Sequence, residues 1–250
     1  MDYHAVYRSN AEQYQQLVGA EDVDGNLAEA LDALIGFGGL DVVEVGAGTG
    51  RVTRLLADAG ATVTATEPAP AMLGVAVELA ARGVAVELAA RGAAEPADRT
   101  GSDGATGSVR FCRAEAAALP FPDGRFDAAV AGWVFAHQRE WSPNSWQDVV
   151  TGFVDETRRV VADGGPIVLI ETLGTGQETP NPPADLVEYY AWLEATLSFT
   201  RTEIRTDYQF ASVDEAAEIT GGFFGQDFAE TVRRNGWARV PECTGVWVTR

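Results

Sequence analysis

The sequence predicts one α/β domain, with a mostly parallel sheet covered by helices on both faces. From residue 40 onward, short β-branched apolar runs alternate with helical patterns, which is typical of a doubly wound sheet. A glycine-rich turn directly follows the first apolar run. The length of 250 residues suffices for one well-buried core. We expect a helical lid at 1–38, a binding core at 39–172, and a substrate-side insertion with the last strands at 173–250.

The apolar runs predict the strands in succession. Five of them lie at 41–45, 61–66, 109–114, 126–132 and 166–172. Helical patterns occupy 51–59, the segment from 70 onward, and about 146–161. Two further strands near 203–210 and 236–249, with helices near 214–219 and 228–234 between them, would complete a seven-stranded sheet.

A tandem repeat interrupts this alternation. The nonapeptide GVAVELAAR occurs at 74–82 and again at 83–91. Because a helix turns by about 100° per residue, two helical copies could not bury the same face. We expect a local duplication that lengthens the second helix. The segment 91–108, rich in Gly, Ser, Asp and Pro, is expected to be a mobile loop.

The charge balance restricts the partners. Lys+Arg number 18 against 37 Asp+Glu, a net charge of −19, and every basic residue is arginine. Such a surface repels phosphate backbones, so we expect a small-molecule partner and no nucleic acid. An acidic chain without lysine is also typical of proteins from molar salt, which would weaken that argument; a GC-rich genome is the other explanation.

Several expectations concern location and assembly. No apolar run of about 18 residues could span a bilayer, and the opening MDYHAVYRSN lacks the features of a signal peptide. We therefore expect a cytoplasmic protein without membrane attachment, either a monomer or a homodimer. Cys112 and Cys243 have no CxxC or nearby histidine, which indicates buried thiols and no metal site.

The turn after the first strand is the most informative motif. Residues 42–52 read VVEVGAGTGRV, with glycines at 46, 48 and 50 and an acidic residue, Glu44, before them. Arg51 stands where the dinucleotide motif GxGxxG has its third glycine. This GxGxG pattern resembles the first motif of the class I S-adenosylmethionine (SAM)-dependent methyltransferases, in particular the small-molecule branch with a type 11-like methyltransferase domain. The resemblance implies a Rossmann-like fold and SAM as cofactor.

The resemblance, which covers about residues 40–172, implies the cofactor contacts. Glu67 ends the second strand, where a carboxylate can accept both ribose hydroxyls, although it could instead cap the next helix. The stretch 113–135 resembles the segment that reaches adenine, through Glu115 and the backbone of Ala116; a solvated charge at Glu115 is the alternative. The cofactor-binding residues expected are Glu44, Gly46, Ala47, Gly48, Gly50, Glu67, Pro68, Glu115, Ala116 and Gly132.

Few residues need to take part in the chemistry. Methyl transfer is an in-line displacement, so a base is required only when the acceptor carries a proton. His137 follows the fourth strand, at the edge where ligands bind in such sheets, and its ordinary pKa suits a general base. Glu171, near the end of the fifth strand, is a second candidate. For both residues, a purely structural role in packing is the alternative.

The acceptor pocket is expected to come from segments outside the core. Aromatic residues at helical spacing in 3–14 suggest a lid, with Tyr7 as the contact. A second wall is expected from the apolar stripe of 184–199, although core packing is the alternative for each of its members: Leu186, Tyr189, Tyr190, Leu193 and Leu197. Such walls would suit a flat or hydrophobic acceptor of quinone or natural-product type.

Three functions are compatible with these motifs. The first is an enzyme that transfers a methyl group from SAM to a small-molecule acceptor. The second is a catalytically silent SAM-binding or regulatory protein on the same fold, because a fold and a cofactor motif do not establish turnover. The third is an NAD-dependent oxidoreductase, which Arg51 disfavours.

Overall fold

A computed structural model describes residues 10–81, 85–88 and 107–250. Its strands are β1 Asp41–Val45, β2 Thr62–Thr66, β3 Ala85–Leu88, β4 Ser108–Cys112, β5 Ala128–Gly132, β6 Ile167–Thr175, β7 Thr200–Arg205, β8 Tyr208–Gln209, β9 Arg239–Val240 and β10 Glu242–Thr249. Its helices are α1 Ala11–Val18, α2 Asn26–Leu34, α3 Arg51–Asp58, α4 Pro70–Ala80, α5 Gln138–Trp141, α6 Trp146–Val160, α7 Ala184–Ala195, α8 Val213–Phe224 and α9 Gln226–Asn235, and a 3-10 turn spans Phe135–His137.

The main sheet has eight strands in the order β3-β4-β2-β1-β5-β6-β10-β7. All neighbours from β3 to β6 are parallel, and β10 runs antiparallel to both β6 and β7. This confirms the predicted mostly parallel, Rossmann-like sheet, with β3 added to the expected seven strands. The chain leaves β1 toward β2 on one side and later returns to β5 on the other, so the crevice for a ligand lies at the carboxyl end of β1.

Helices cover both faces of the sheet, as predicted. Along β1, Val43 and Val45 pack in one cluster with α6 and α7, whereas Val42 packs in another with α2, α3 and α4. This alternation follows from the two-residue period of a strand, which sends successive side chains to opposite faces. A third, smaller cluster joins α1 to α8, α9 and the β8–β9 pair.

The last two predicted strands are each divided in two. Asp207 lies between β7 and β8, and its carboxylate accepts the N–H of Glu242 at the start of β10 at 3.0 Å. The same carboxylate pairs with Arg205 and Arg239. The buried Asp207 side chain thus accepts a backbone N–H. After Asp207 the chain enters the separate two-stranded β8–β9 sheet. Sequence periodicity does not show such a break.

The expected lengthening of the second helix is wrong. The first copy of the nonapeptide lies in α4 apart from its last two residues, whereas residues 85–88 of the second copy form β3. Parallel pairing with β4, Ala85 with Ser108 through Leu88 with Phe111, satisfies the backbone groups of this segment in place of helical hydrogen bonds. Apart from Gly107 and Ser108, the segment expected to be a mobile loop lies outside the described residues.

The cysteines and the search for membrane-spanning helices can be compared with the predictions from the sequence. Cys112 and Cys243 are buried free thiols, as predicted, and burial raises the pKa of both. In the residues that the structure describes, no helix combines the length and the apolar character needed to cross a membrane.

Candidate functional site

The glycine turn is tied to the end of the neighbouring strand. The N–H groups of Gly46 and Ala47 both donate to the carbonyl oxygen of Thr66 at 2.9 Å, and Gly50 N–H donates to the Ala47 carbonyl at 2.9 Å. These N–H groups are therefore used within the protein. The turn instead allows a ligand to approach the backbone closely, because its glycines carry no side chains.

Two of the glycines are required by the geometry of the turn. Gly46 has a φ of +74°, and a Cβ there would lie 2.6 Å from Cγ2 of Val134. Gly50 has a φ of +85°, and its Cβ would lie 3.3 Å from the Cβ of Ala76. Left-handed backbone and close packing together exclude larger residues here. A side chain at either position would therefore fill the space that the turn leaves open.

Glu67 lies against this turn, as predicted. Its Oε2 accepts the Gly48 N–H at 2.9 Å, and its Oε1 accepts the Ala69 N–H at 2.7 Å. Burial raises the pKa of Glu67, and the two N–H donors oppose this effect. The bond to Ala69, directly before α4, shows that Glu67 also shapes the helix start. Each carboxylate oxygen keeps a further lone pair, so both can still accept a ribose hydroxyl.

The expected adenine residues lie beside Glu67. The exposed Glu115 follows β4, and its charge contributes to the raised pKa of Glu67. Arg113 Nε donates to the Pro68 carbonyl at 3.0 Å, which joins the ends of β2 and β4. Ala116 is partly buried against the core. The structure therefore brings Pro68, Glu115 and Ala116 to one place, and their contact with adenine stays a prediction.

Glu44 lies beneath the turn. Its buried carboxyl accepts the hydroxyl of Thr53 in α3, and burial raises its pKa to about 8. At neutral pH this side chain therefore holds a proton for most of the time. Its contacts indicate that it fixes the start of α3 relative to β1. A direct contact with the cofactor stays a prediction.

Arg51 and Trp133 lie on the opposite side of the glycine turn from Glu67. Trp133 directly follows Gly132 at the end of β5 and has a φ of +55°, an unfavourable conformation for a bulky residue. The Arg51 guanidinium lies 4.2 Å from the centroid of the Trp133 ring and forms an ion pair with Glu21. Sequence reasoning used Arg51 only to exclude a dinucleotide motif, and it missed Glu21 altogether.

The two candidate bases lie close to one small turn, His137 within it and Glu171 in the adjacent strand β6. His137 ends the 3-10 turn after β5, and its ring stacks on Trp141 at 4.8 Å. Glu171 is buried and accepts the Ala136 N–H at 3.1 Å and the Tyr189 hydroxyl at 3.4 Å. Burial raises the pKa of Glu171 to about 8. Both side chains therefore have structural contacts, and Glu171 holds the turn that carries His137.

The second predicted wall belongs to the core. The residues Leu186, Tyr189, Tyr190 and Leu193 are buried, and Leu197 packs partly against them. Tyr190 stacks on Trp247 at 4.6 Å and donates to the Thr172 carbonyl at 2.5 Å. The structure thus shows the core-packing alternative for this stripe.

The lid residue expected from the sequence, Tyr7, lies outside the described residues. The aromatic side chain seen near the turn is Tyr14 of α1: a Cβ placed on Gly48 would lie 3.7 Å from its ring. Burial raises the pKa of Tyr14 to about 12. The sequence signal for Tyr14 was the same helical spacing of aromatics that suggested Tyr7.

A buried network of polar side chains extends from Glu21 to residues in or directly after β6, β7 and β10. The Thr206 hydroxyl bonds to Glu21 at 3.2 Å and to the Thr244 hydroxyl at 2.6 Å. Glu242 is 1% exposed, accepts the Thr172 hydroxyl at 2.6 Å, and has its pKa raised to about 8, first by burial and then by Glu21. No local sequence pattern predicts this network, because its members are far apart in sequence and meet only in the folded chain.

Comparison with known proteins identifies the family. Residues 43–169 match the family described as "Methyltransferase domain", half of the chain. The demethylmenaquinone methyltransferase of Thermus thermophilus is 30% identical over 132 residues, which are 52% of this chain and 46% of that protein. This chain thus spans about half the length of that relative. An uncharacterized methyltransferase of Staphylococcus carnosus is 24% identical over 195 residues, 76% of each chain.

A solved structure supports the fold. The SAM-dependent methyltransferase from Aquifex aeolicus superimposes with a TM-score of 0.52, covering 91% of this chain and 93% of that one at 16% identity. At this identity the likeness concerns the fold alone. Together with the matched family, the glycine turn and Glu67 lead to one conclusion: the chain belongs to the methyltransferase domain family, the class I methyltransferases whose cofactor is S-adenosylmethionine.

Proposed function

We propose that the chain transfers a methyl group from SAM to a small-molecule acceptor. The observation that carries the proposal is the Glu67 carboxylate held against the bare turn at Gly48. Both lie at the switch point of the sheet, where such folds bind ligands. We infer that Glu67 holds the ribose, and that Glu115 and the Ala116 backbone hold adenine at the end of β4.

The order of the strands also fits a bound SAM molecule. In the sheet, β4 and β2 lie on one side of β1 and β5 on the other. A ligand with its base at β4 and its ribose at β2 would extend across the turn toward Gly132 and Trp133 at the end of β5. That end of the crevice is the proposed place of methyl transfer.

The protein's contribution is mainly to position the acceptor. SAM, when bound, supplies a methyl group on a sulfonium: the C–S bond breaks, its electron pair stays on the neutral thioether, and the acceptor atom forms the new bond. In-line geometry then provides much of the rate. For an acceptor that carries a proton, we propose His137 as the general base, with Glu171 as the residue that holds its turn in place.

We infer a flat, hydrophobic acceptor of quinone type. The relative in Thermus thermophilus carries demethylmenaquinone in its name. The net charge of −19 disfavours a nucleic-acid substrate. We also propose a cytoplasmic monomer or homodimer.

Calorimetric titration tests cofactor binding. SAM and its demethylated product, S-adenosylhomocysteine, are expected to bind, while NAD gives no heat of binding. Binding of NAD without SAM would overturn the proposal.

Transfer of label tests turnover. Protein supplied with methyl-labelled SAM is expected to label a prenylated naphthoquinol that lacks its ring methyl group. Labelling of a different compound from a cell extract would correct the acceptor. Tight SAM binding without label transfer to any acceptor would instead identify a catalytically silent SAM-binding protein.

A further inference from the structure

One end of the main sheet is an edge formed by β7. This strand, Thr200–Arg205, is the last in the strand order, and it pairs with β10 on one side. Three of its residues, Thr200, Arg201 and Glu203, are exposed. The outer side of an edge strand presents N–H and C=O groups that can pair with another chain. The β7 edge is therefore a candidate docking surface.

Hydrogen bonds at the end of β7 show which backbone groups face outward. The Thr206 N–H donates to the Glu242 carbonyl at 3.0 Å and thus faces β10. The Arg205 carbonyl, in the same peptide unit, faces away from β10 and accepts the side-chain amide of Asn26 at 2.9 Å. These directions alternate along an antiparallel strand. Every second residue before Arg205 therefore also directs its N–H and C=O away from the sheet.

Arg201 and Glu203 are the residues with these outward groups. In the described part of the chain, no group bonds to the backbone N–H or C=O of either residue. The open stretch ends at Arg205, because residues 22–26 donate to the carbonyls of residues 205–207. Neither a proline nor a bulge interrupts β7, although both are common protections of an edge.

The charges on this edge are self-complementary. Arg201 and Glu203 are two residues apart and so lie on the same face of β7, with Nε of Arg201 3.5 Å from Oε1 of Glu203. When a second copy of β7 is placed antiparallel around Thr202, Arg201 of each copy lies opposite Glu203 of the other. Since these two residues also carry the outward backbone groups, one register pairs both the backbones and the charges.

The same charges oppose the other registers. The neighbouring registers that pair outward backbone groups place Arg201 opposite Arg201 or Glu203 opposite Glu203, and like charges directly opposite are destabilising. Charged side chains usually protect an edge from association, and a net charge of −19 repels a second copy. The edge of β7 differs from this general rule because it carries both signs in an order that attracts an identical strand.

We propose that β7 is a self-association surface, at which two copies of the chain pair antiparallel around Thr202 and join their sheets. The strands β5, β6 and β10 separate β7 from β1, at whose carboxyl end the ligand crevice lies. The dimer therefore leaves the crevice open, and the inference does not depend on the proposed function.

Sedimentation velocity of the whole chain tests this pairing. At about 0.3 M salt, which screens the net charge, the unchanged protein should change from 26.6 kDa to twice this mass as its concentration rises. Arg201→Glu places like charges opposite each other and should weaken association at least about tenfold. Adding Glu203→Arg to this variant restores opposite charges and should recover most of the association.

Arg233→Glu is the matched control, because it makes the same change of net charge at an exposed position of α9 and should leave association unchanged. Glu203→Pro provides a second test without charge reversal, since it removes an outward N–H and none of the bonds to β10; it should abolish the dimer. A protein that stays monomeric up to about 1 mM would overturn the inference. Equal losses in Arg201→Glu and Arg233→Glu, no recovery in the double variant, or a dimer that survives Glu203→Pro would overturn it as well.

Discussion

The two sides of the ligand-binding edge are constructed differently. On the cofactor side, the key contacts join residues close in sequence: Glu67 to Gly48 across 19 positions and Glu44 to Thr53 across 9. On the other side, Glu21 meets Thr206 across 185 positions and Thr172 meets Glu242 across 70. A short motif therefore defines the cofactor side, whereas only the completed fold defines the other side, which we call the acceptor side because the acceptor is proposed to bind there.

The carboxyl groups at this edge also differ in their pKa. Backbone N–H donors oppose the effect of burial on the pKa of Glu67. Glu44 beneath the turn, and Glu171 and Glu242 on the other side, are buried more completely, and their pKa values rise to about 8. The extent of burial, and not the side on which a carboxyl lies, therefore governs its pKa. Mutations of Glu67 and of the fully buried carboxyls should consequently affect different properties.

The largest expected effect comes from the turn itself. Gly46→Ala forces a side chain into left-handed backbone and against Val134. It should lower the free energy of unfolding by about 3 kcal/mol and abolish measurable binding of S-adenosylhomocysteine. Urea denaturation and calorimetry measure the two effects.

A glycine in α6 provides the matched control. Gly152 lies in a helix with no atom close to an added Cβ. Gly152→Ala should raise the free energy of unfolding by about 0.5–1 kcal/mol. If Gly46→Ala behaves like Gly152→Ala, the turn does not need glycine and the geometry assigned to the cofactor side is incorrect.

The next effect concerns affinity for the cofactor. Glu67→Ala removes the acceptor proposed for the ribose hydroxyls and should weaken SAM by about 1.5–3 kcal/mol, the range for hydrogen bonds to a charged group. Calorimetry measures the change. Glu67→Gln is the control, because it keeps the shape of the side chain and its amide oxygen can still accept one of the two backbone N–H groups. An unchanged affinity in Glu67→Ala would remove Glu67 from the site.

The last prediction tests Glu171 through the pH dependence of stability. Because burial raises the pKa of Glu171 from 4.5 to about 8, its unfolded form loses a proton between these values while its folded form retains it. Stability from this group is therefore present in full below pH 4.5 and is lost as the pH rises toward 8. Glu171→Gln should reduce this decline by about 1.4 kcal/mol per pH unit.

Urea denaturation between pH 5 and pH 8 measures that slope. Replacing an exposed carboxylate, Glu230→Gln in α9, serves as the control and should leave the slope as it is. A parallel decline in the Glu171→Gln variant and the unchanged protein would show that Glu171 is ionised in the fold and that burial does not raise its pKa.

The sequence was sufficient to locate the glycine turn because the determinants of the turn are local. The alternation of strand and helix placed β1, α3 and β2, and the spacing of Gly46, Gly48 and Gly50 located the turn. Arg51 could be interpreted only as a departure from a dinucleotide motif, since its partner Glu21 lies 30 positions earlier, in the connection between α1 and α2. Tyr189 and Tyr190 looked like a pocket wall because helical spacing does not distinguish a wall from the core.

The tandem repeat shows the same limit within one peptide. The residues AVEL at 76–79 lie in α4, and the identical residues at 85–88 form β3. Local propensity is the same for both copies, so it cannot decide between the two structures. Pairing with β4 decides it for the second copy, and that partner lies beyond any local window.

A crystal structure with S-adenosylhomocysteine tests the central claim most directly. We expect the adenosine to lie across the turn with both ribose hydroxyls bonded to Glu67. Ligand density at another place, or a turn still covered by the Tyr14 ring with the ligand excluded, would contradict the claim.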